Sequence, residues 1–385
     1  MTHELKAIQQ DKAAPLRPLT VAEQMLGATE LLHYADKFRG YTFACVIGQT
    51  GWLGDFFLDI KVFYLAHIRI LICCVYRPWL ESQVAEWNSR GYALDYFETT
   101  TAGIADLAAA VKDSISKQRL PVIAIKGTPQ VDVPPSKFHD DALAMAAAAG
   151  SQRAFILSSA EGIIINNRLL SHISSSDVIN IPDDAVLNVS RDTLNYLATK
   201  QLQYGMELVV LHASAGSMFQ EVFSHIGIGT LLSDMHKILF RGAKPTDARD
   251  IAFIMKPYVQ AGALLPVSED SIVQNVENYY VYTINEDVVG VGRLTEYGEG
   301  YELGKLATLP RYRRKGLARS MLEELIKRAV ADGKKFVFSL TIESIMVDLL
   351  TSLGFSEVAR ETLPESWKNG YDFKRPSRAF LYNLP

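Results

Sequence analysis

Five of the nine residues from 311 to 319 are basic, and they lie between an apolar segment and a run with helical spacing. The first turn of a helix carries unpaired N–H groups and a partial positive charge, so it attracts anions. A glycine there lets the backbone approach a phosphate closely, and a small alanine avoids a clash. The segment with these properties consists of Arg313, Arg314, Lys315, Gly316, Leu317 and Ala318. They predict a phosphate-binding loop, and the alternative is a solvated basic turn before an amphipathic helix.

The segments around this loop predict a small α+β unit that would hold it in place. Aromatic and β-branched residues over 279–284, 288–294 and 301–308 predict three strands in a meander. Apolar residues at helical spacing over 316–331 predict the helix that follows the loop. Thr246 is the predicted N-cap of an earlier helix that runs to residue 260.

The chain before residue 230 has a different organisation, in which short apolar runs alternate with helical segments. Strands are predicted over 43–47, 68–75, 121–125 and 207–212, and one helix is predicted over 20–39. This alternation favours an open α/β sandwich with a largely parallel sheet.

The length of the chain predicts more than one domain. At about 150 residues per domain, 385 residues suggest two or three cores. Composition changes after the glycine-rich turn at 227–230, and residues 231–240 are predicted to be a connector. We therefore predict two domains, over residues 1–235 and 236–385.

Charge and hydropathy exclude several classes of protein. With 39 basic and 43 acidic residues the net charge is −4, which does not suit a protein that coats nucleic acid or an anionic membrane. The most apolar stretch, residues 68–76, contains Arg69 and is far shorter than the ~20 residues that span a bilayer. The three cysteines, two of them adjacent, indicate no disulfide framework. These features predict a cytoplasmic protein without nucleic-acid or membrane partners.

Three motifs carry a resemblance to known families. Arg313-x-x-Gly316-x-Ala318 after a strand, with Gly354-Phe355 further on, resembles the acetyl-CoA site of the GNAT N-acetyltransferases. The closing segment, LPES at 363–366 and KRPSR at 374–378, is similar to the carboxy-terminal signature of bacterial N-acetylglutamate synthases. Segments 39–43 and 223–230 resemble the opening and closing segments of the amino-acid-kinase domain fused to those synthases. The resemblance implies an amino-acid-kinase-like αβα sandwich followed by a GNAT α+β domain.

The resemblance also implies a reaction, the transfer of acetyl from acetyl-CoA to the α-amino group of L-glutamate. The amine would attack directly in a ternary complex, and no Cys or His follows His236 to support an acyl-enzyme or a histidine base. The backbone of Leu306, Ala307 and Thr308 would bind the pantetheine arm, and no metal is implied. Two alternatives remain open, an acetyltransferase for another amino acid or amine and a non-catalytic amino-acid-binding regulator.

The family pattern suggests roles for two further residues near the reacting atoms. Glu302 matches a glutamate that acts as base through water, and the alternative is an outward-facing glutamate on an edge strand. Leu350 stands where many GNAT enzymes carry a tyrosine that protonates the leaving thiolate, and Ser339 is a possible substitute.

The acceptor site is expected to hold cations and hydroxyl groups that bind carboxylates. Strand alternation predicts that Lys305 points to the face opposite Glu302, where it could bind a substrate carboxylate or lie in solvent. Arg375 and Ser377 are the leading candidates for the glutamate carboxylates, against the alternative of a surface arginine. Lys368 and Tyr371 are further candidates.

The amino-terminal part lacks the groups that an active kinase requires. Residues 46–51 contain no lysine, and 73–78 contain no glycine, so neither segment can cradle ATP phosphates. In the synthase family this domain binds inhibitory arginine and builds the oligomer, so we expect a homo-oligomer and an amino-acid effector. The chain is shortened between residues 79 and 127 relative to that family and lacks the usual lysines in 144–150, which argues against control by arginine.

Overall fold

Two large sheets follow one another along the chain. The computed structural model describes residues 31–49, 53–99, 104–130, 132–224, 227–234, 238–284, 287–313 and 315–385. We call the first sheet with its helices, up to residue 234, the N-terminal unit. The second sheet with its helices, from residue 238, is the C-terminal unit.

The N-terminal unit is built on a largely parallel sheet. Its described strands are β1 Thr42–Ile47, β2 Arg69–Val75, β3 Leu94–Glu98, β4 Leu120–Ile125, β5 Arg153–Ser158, β6 Ile164–Ile165, β7 Arg168–Leu169, β8 His172–Ile173, β9 Glu207–His212 and β10 Thr230–Leu232. Eight of them form one sheet in the order β3-β4-β2-β1-β5-β9-β10-β8. Within it, β9 and β10 are antiparallel and the other described ladders are parallel.

Helices cover both faces of this sheet. They are α1 Leu53–Leu65, α2 Leu80–Ser89, α3 Ile104–Ser116, α4 Lys137–Ala148, α5 Ser175–Val178, α6 Arg191–Tyr204 and α7 Ser217–Val222, and residues 31–37 are also helical. Phe43, Cys45 and Ile47 of β1 enter one core cluster, and Ala44 and Val46 enter the other. Continuous apolar runs such as β1 are what a strand buried on both faces requires.

The adjacent cysteines of β2 belong to these two cores. Cys73 and Cys74 are fully buried and pack into opposite clusters. Burial raises the pKa of Cys74 to about 12, so its thiol stays protonated at neutral pH. Both side chains therefore serve packing.

The C-terminal unit combines an antiparallel sheet with one parallel step. Its strands are β11 Ile238–Gly242, β12 Tyr279–Ile284, β13 Asp287–Tyr297, β14 Gly300–Thr308, β15 Phe336–Thr341, β16 Ser356–Val358 and β17 Arg378–Asn383. They lie in the order β11-β12-β13-β14-β15-β17-β16, and β14 and β15 run parallel. Its helices are α8 Ala248–Gln260, α9 Glu269–Gln274, α10 Leu317–Ala331, α11 Ser344–Ser352 and α12 Glu365–Lys368, with 3-10 turns at Pro245–Asp247, Val276–Asn278, Pro310–Tyr312 and Arg360–Thr362.

A β-bulge interrupts β14 in its middle. Val291 pairs with Ala307, but Arg293 pairs with Gly304, so β14 has one more residue than β13 over this interval. Lys305 lies in the bulge with a φ of 52°, a left-handed conformation that costs a non-glycine residue roughly 1 kcal/mol. The extra residue breaks the strand alternation, so the prediction that Lys305 and Glu302 point to opposite faces does not hold across it.

The two parallel strands separate after a short common ladder. The last parallel pair joins Glu302 to Phe338, although β14 continues to Thr308 and β15 to Thr341. No described strand lies beside the second half of β14 on this side. The fork therefore exposes a strand edge inside the sheet, with backbone groups that can accept a partner.

Most of the strongly patterned elements agree with the sequence. The parallel α/β sandwich, the meander strands and the helix after the basic loop are confirmed. In α10, Leu317, Met321, Leu322 and Leu325 are buried, as the helical spacing predicts. Only residues 31–39 of the predicted helix over 20–39 lie within the described residues, and 31–37 are helical.

Other boundaries were wrong or missed. Thr246 is not an N-cap, because α8 begins at Ala248 with Asp247 as its N-cap residue. The predicted connector over 231–240 contains the end of β10 and the start of β11. The elements that the sequence did not predict include β3, β7, β8, β16, α2, α3, α5, α7, α9 and α12.

The two units are joined first through the helical residues 31–37. Asp36 pairs with Arg249 at 2.8 Å, and Lys37 pairs with Asp287 at 3.0 Å. The rings of His33 and Phe253 stack with centroids 4.1 Å apart. In the part of the chain that the structure describes, no helix is both long and apolar enough to cross a membrane.

Candidate functional site

A half-buried carboxylate lies at the fork between β14 and β15. Glu302 lies at the last parallel pair, and its Oε1 atom is 4.0 Å from the position that a Cβ on Gly304 would take. Burial raises the pKa of Glu302, while the nearby charges of Arg293 and Lys305 and the Trp367 indole lower it. The net direction is upward, which makes the carboxylate a better proton acceptor than an exposed one.

The bulge brings a cation to the same place. The Nζ atom of Lys305 donates to the backbone carbonyl of Leu265 at 2.7 Å. Burial and the charge of Arg293 lower the pKa of Lys305 to about 8, although Glu302 acts in the opposite direction. Lys305 thus lies within electrostatic reach of Glu302, and the left-handed bulge is what turns it there.

Arg293 is a site residue that the sequence analysis missed. It lies directly across the ladders from Gly304 on one side and from Tyr279 on the other, so it shares a face with Glu302. Its guanidinium carbon is 5.5 Å from the centre of the Tyr279 ring, and its buried Nε has no hydrogen-bond acceptor among the described residues. An arginine inside an otherwise apolar strand was the available signal.

Arg375 closes the site from the carboxy-terminal segment. Its Nη2 atom donates to the carbonyl groups of Gly262 at 3.1 Å and Ala263 at 2.9 Å, just after α8. Its charge also lowers the pKa of Lys305. Arg375 therefore lies close to Lys305, and both cations bind the same loop through neutral carbonyl groups.

An aromatic wall joins this segment to the sheet. Trp367 is buried, stacks on Tyr371 with centroids 4.3 Å apart, and packs edge-on against Phe338. The Tyr371 hydroxyl hydrogen-bonds to the buried Ser377 hydroxyl. Tyr371 and Ser377 are thus brought to the site together, and Trp367 is the link that connects them to Glu302.

Two predicted site residues are already occupied by local partners. Lys368 pairs with Glu365 at 2.6 Å and donates to the Glu361 carbonyl at 3.2 Å. Ser339 is buried at the fork and its hydroxyl donates to the Leu303 carbonyl at 2.8 Å. Leu350, where a tyrosine is common in the resembling family, is fully buried in the core.

The predicted phosphate loop has the expected backbone. Gly316 has a φ of 77°, is exposed, and would meet no atom within 4 Å if it carried a Cβ. It is the N-cap residue of α10 and provides no side-chain cap, so the first N–H groups of the helix stay available. Leu317 is buried beneath the loop and Ala318 is half-buried, which leaves the approach open.

The basic residues of the loop have separate tasks. Arg313 lies over the Tyr258 ring at 4.9 Å and donates to its hydroxyl at 3.3 Å. Arg311 and Lys315 instead pair with carboxylates of the N-terminal unit, at 2.6 Å and 3.3 Å. Arg314 lies outside the described residues.

Tyr258 of α8 also occupies part of the exposed strand edge. Its hydroxyl donates to the Thr308 carbonyl at 2.7 Å and accepts from the Thr308 N–H at 3.2 Å. Ala307 pairs with Val291 of β13. Leu306, two residues before Thr308, turns its backbone groups to the same side as Thr308, because backbone directions alternate along a strand.

The chemistry of this arrangement lies in its charge balance. Among the described residues, Arg293, Lys305 and Arg375 form no ion pair with a carboxylate. Arg293 and Lys305 act on the charge of Glu302, and Arg375 acts on that of Lys305. The part of the chain that the structure describes contains no group of three or more His, Cys, Asp or Glu side chains placed to hold a metal ion. The site thus combines a proton acceptor with cations that lack anionic partners.

Comparisons with known proteins give matches to acetyltransferases. Residues 249–355 match the model of the acetyltransferase (GNAT) family. An amino-acid acetyltransferase of Pseudomonas fluorescens (strain Pf0-1) is 27% identical over 178 residues, which is 46% of this chain and 41% of the relative. That of Escherichia coli (strain K12) is 26% identical over 178 residues, 46% of this chain and 40% of the relative. The chain thus spans about two fifths of the length of these curated relatives.

One solved structure matches both units. The crystal structure of N-acetylglutamate synthase from Neisseria gonorrhoeae, complexed with coenzyme A and L-arginine, covers 94% of this chain and 99% of its own with a TM-score of 0.58. The sequence identity is 17%, so this likeness establishes the fold. The predicted order of an open, largely parallel αβα sandwich followed by a GNAT-like α+β unit is thereby confirmed.

Proposed function

We propose that the chain transfers acetyl from acetyl-CoA to the α-amino group of L-glutamate. The observation that carries this proposal is a group of three cations without carboxylate partners at an open strand edge. Arg293 and Lys305 act on the charge of half-buried Glu302, and Arg375 lies close to Lys305. Three positive charges against one negative charge suit an acceptor with two carboxylates. The GNAT family match over residues 249–355 supports the acetyl-CoA part of the reaction.

The loop at the start of α10 suits the diphosphate of acetyl-CoA. Gly316 is exposed with open space above it, and the helix N-terminus is uncapped, which are the properties that phosphate binding requires. Arg313, Arg314 and Lys315 would add charge, the first turn at Leu317 and Ala318 would add N–H donors, and Leu306 would bind the pantetheine amide. Acetyl-CoA would supply a thioester whose carbonyl carbon accepts the amine.

Glu302 is the proposed base. Its half-buried position and raised pKa suit removal of a proton from the acceptor ammonium group, directly or through water. Ser339 is the proposed donor to the leaving thiolate. Its proton is directed to the Leu303 carbonyl, so this role requires rotation of the hydroxyl.

The carboxylates of the acceptor are assigned to the cations and hydroxyl groups around Glu302. Arg375, with Ser377 and Tyr371, would bind one carboxylate, and Lys305 with Arg293 would bind the other. Lys368 would act at longer range, because it is already paired with Glu365. Arg375 and Lys305 now donate to neutral carbonyl groups. A carboxylate of the ligand would replace these with stronger hydrogen bonds in which both donor and acceptor are charged.

The two units are proposed to be the domains 1–235 and 236–385, with catalysis in the second. The first domain would have no kinase activity, and it would bind an amino-acid effector and form the homo-oligomer. An alternative function is acetylation of a different amino acid or amine, which Trp367 in the acceptor wall favours. The other alternative, a non-catalytic amino-acid-binding regulator, is disfavoured because it has no need for an open phosphate loop.

An acceptor panel tests the proposal. The full-length protein with acetyl-CoA is assayed for release of the free thiol against L-glutamate, L-aspartate, L-glutamine, L-lysine and L-alanine. We expect L-glutamate to give the highest kcat/KM. A higher kcat/KM for another acceptor would show that this acceptor, and not L-glutamate, is the substrate. A lack of turnover with every amine would favour the non-catalytic amino-acid-binding regulator.

Removal of the Arg375 guanidinium should weaken acceptor binding. We expect Arg375→Ala to raise the KM for glutamate about thirtyfold, because a hydrogen bond to a charged group is worth ~2 kcal/mol. The KM for acetyl-CoA should stay unchanged. Arg378→Ala is the matched control, since Arg378 is three residues away and pairs with Glu357 on the outer strands. Unchanged glutamate kinetics in Arg375→Ala would contradict this assignment.

Binding of the product should depend on the protonation of Lys305. Because the pKa of Lys305 is lowered to about 8, its positive charge is present below that pH and is lost above it. We expect the dissociation constant of N-acetyl-L-glutamate, which has no titrating amine, to rise between pH 7 and pH 9 in calorimetry. Lys305→Arg keeps its charge and should show no such rise. Equal pH dependence in both proteins would exclude Lys305 from the site.

A further inference from the structure

We propose that two carboxylates of the N-terminal unit set the affinity of the C-terminal loop for coenzyme A, and that they act in opposite directions. Glu221 holds the loop in its binding conformation through Arg311, and Asp177 holds Lys315 away from the phosphates. This inference rests on the proposed role of residues 313–318 in binding coenzyme A.

Glu221 is a fully buried carboxylate, and both of its oxygen atoms accept hydrogen bonds. Its Oε1 atom accepts from Arg311 Nη2 at 2.6 Å, and its Oε2 atom accepts from the N–H groups of Ile228 at 2.7 Å and Gly229 at 2.8 Å. The side chain of Glu221 has no solvent exposure, and that of Arg311 is 11% exposed. Such a pair is costly to break, because the remaining charge would be buried without a partner.

The turn that holds Glu221 is shaped for this contact. Gly227 has a φ of 64°, and a Cβ on it would lie 1.8 Å from Arg311 Nη2 and 3.0 Å from Glu221 Oε2. Only a glycine therefore admits the arginine here. The glycine-rich turn at 227–230, part of the segment that resembles the known family, thus forms the contact surface for an arginine of the other unit.

Further contacts hold the loop backbone beside this pair. The Ser171 hydroxyl donates to the Arg311 carbonyl at 2.9 Å. Tyr312 is buried with its ring centre 5.2 Å from that of His172. Arg311 and Tyr312 form the 3-10 turn directly before Arg313, so the N-terminal unit determines where the phosphate loop begins.

Asp177 acts on the other end of the loop. Its Oδ2 atom lies 3.3 Å from the Nζ atom of Lys315, the residue that directly precedes Gly316. Asp177 is 46% exposed and Lys315 is 26% exposed, so this pair can open at little cost. The carboxylate of Asp177 therefore competes with a bound phosphate for the positive charge of Lys315.

Calorimetric titration of the full chain with coenzyme A tests the proposal. We expect Glu221→Gln to raise the dissociation constant at least tenfold, because Arg311 loses its anchor. Ser171→Ala should raise it less, and Asp177→Asn should lower it about twofold to fivefold, the range of an exposed ion pair. The dissociation constant of N-acetyl-L-glutamate should stay unchanged in all three variants, which a general loss of structure would not produce.

Arg249→Gln is the matched control, because it breaks the contact with Asp36 between the same units away from the loop. It should leave coenzyme A binding unchanged. If Glu221→Gln fails to fold, Ser171→Ala and Asp177→Asn decide, and unchanged affinity in both would overturn the inference. A wild-type protein that does not bind coenzyme A would refute the proposed function itself, whereas binding that no variant alters would refute only this coupling.

Discussion

Glu302→Gln is expected to lower kcat by roughly a thousandfold while both KM values stay within a few-fold of those of the wild type. The substitution keeps the size of the side chain and removes its ability to accept a proton. Because burial raises the pKa of Glu302, the wild-type rate should fall as the pH drops through that pKa, since the protonated carboxyl cannot act as base. The variant should lack this acidic limb.

The control for Glu302→Gln is Glu357→Gln, which removes an exposed carboxylate on the outer strand β16. Rates are measured by thiol release from pH 5 to pH 9 in both variants. A kcat near the wild-type value in Glu302→Gln, with the acidic limb intact, would show that another group or water alone takes the proton.

Arg293→Gln is expected to raise the KM for glutamate about 150-fold, because a buried guanidinium bonded to a carboxylate is worth ~3 kcal/mol. Arg293 has no carboxylate partner of its own, so the substrate would supply the missing anion. The preference for glutamate over glutamine should collapse, since the second carboxylate no longer gains a charged partner. The kcat for glutamate should change little.

Two comparisons keep this result interpretable. Arg293→Lys retains the charge without the planar pair of donors and should lie between the wild type and Arg293→Gln. Arg328→Gln on the exposed side of α10 should behave as the wild type. An unchanged ratio of kcat/KM for glutamate and glutamine in Arg293→Gln would mean that Arg293 serves only to pack against Tyr279.

The roles of the loop residues show how local and tertiary information differ. The basic run, Gly316 and the spacing of α10 are local features, so the sequence alone indicated a basic loop with a glycine directly before a helix. It did not indicate which basic residues remain available. Arg311 and Lys315 find partners 90 and 138 residues away in the chain, and no local pattern carries that information.

The candidate active site shows the same division. Glu302, Arg375 and Ser377 were selected from motifs, whereas Arg293 was not, because its role depends on pairing with Gly304, beside which the Glu302 carboxylate lies. Lys305 was selected but given the wrong direction. Strand alternation is a reliable guide only in a regular strand, and the bulge depends on the registers of two neighbouring strands.

By itself, the sequence determined the order of the two units, the parallel and antiparallel sheets, and the loop before α10, because periodicity, glycine and charge act within a few residues. Only the tertiary structure decided that Lys305 and Arg375 bind the same loop through neutral carbonyl groups and that a glycine-rich turn of the first unit contacts Arg311 of the second. Charge pairing and burial depend on distances between segments remote in the chain, and folding alone creates those distances.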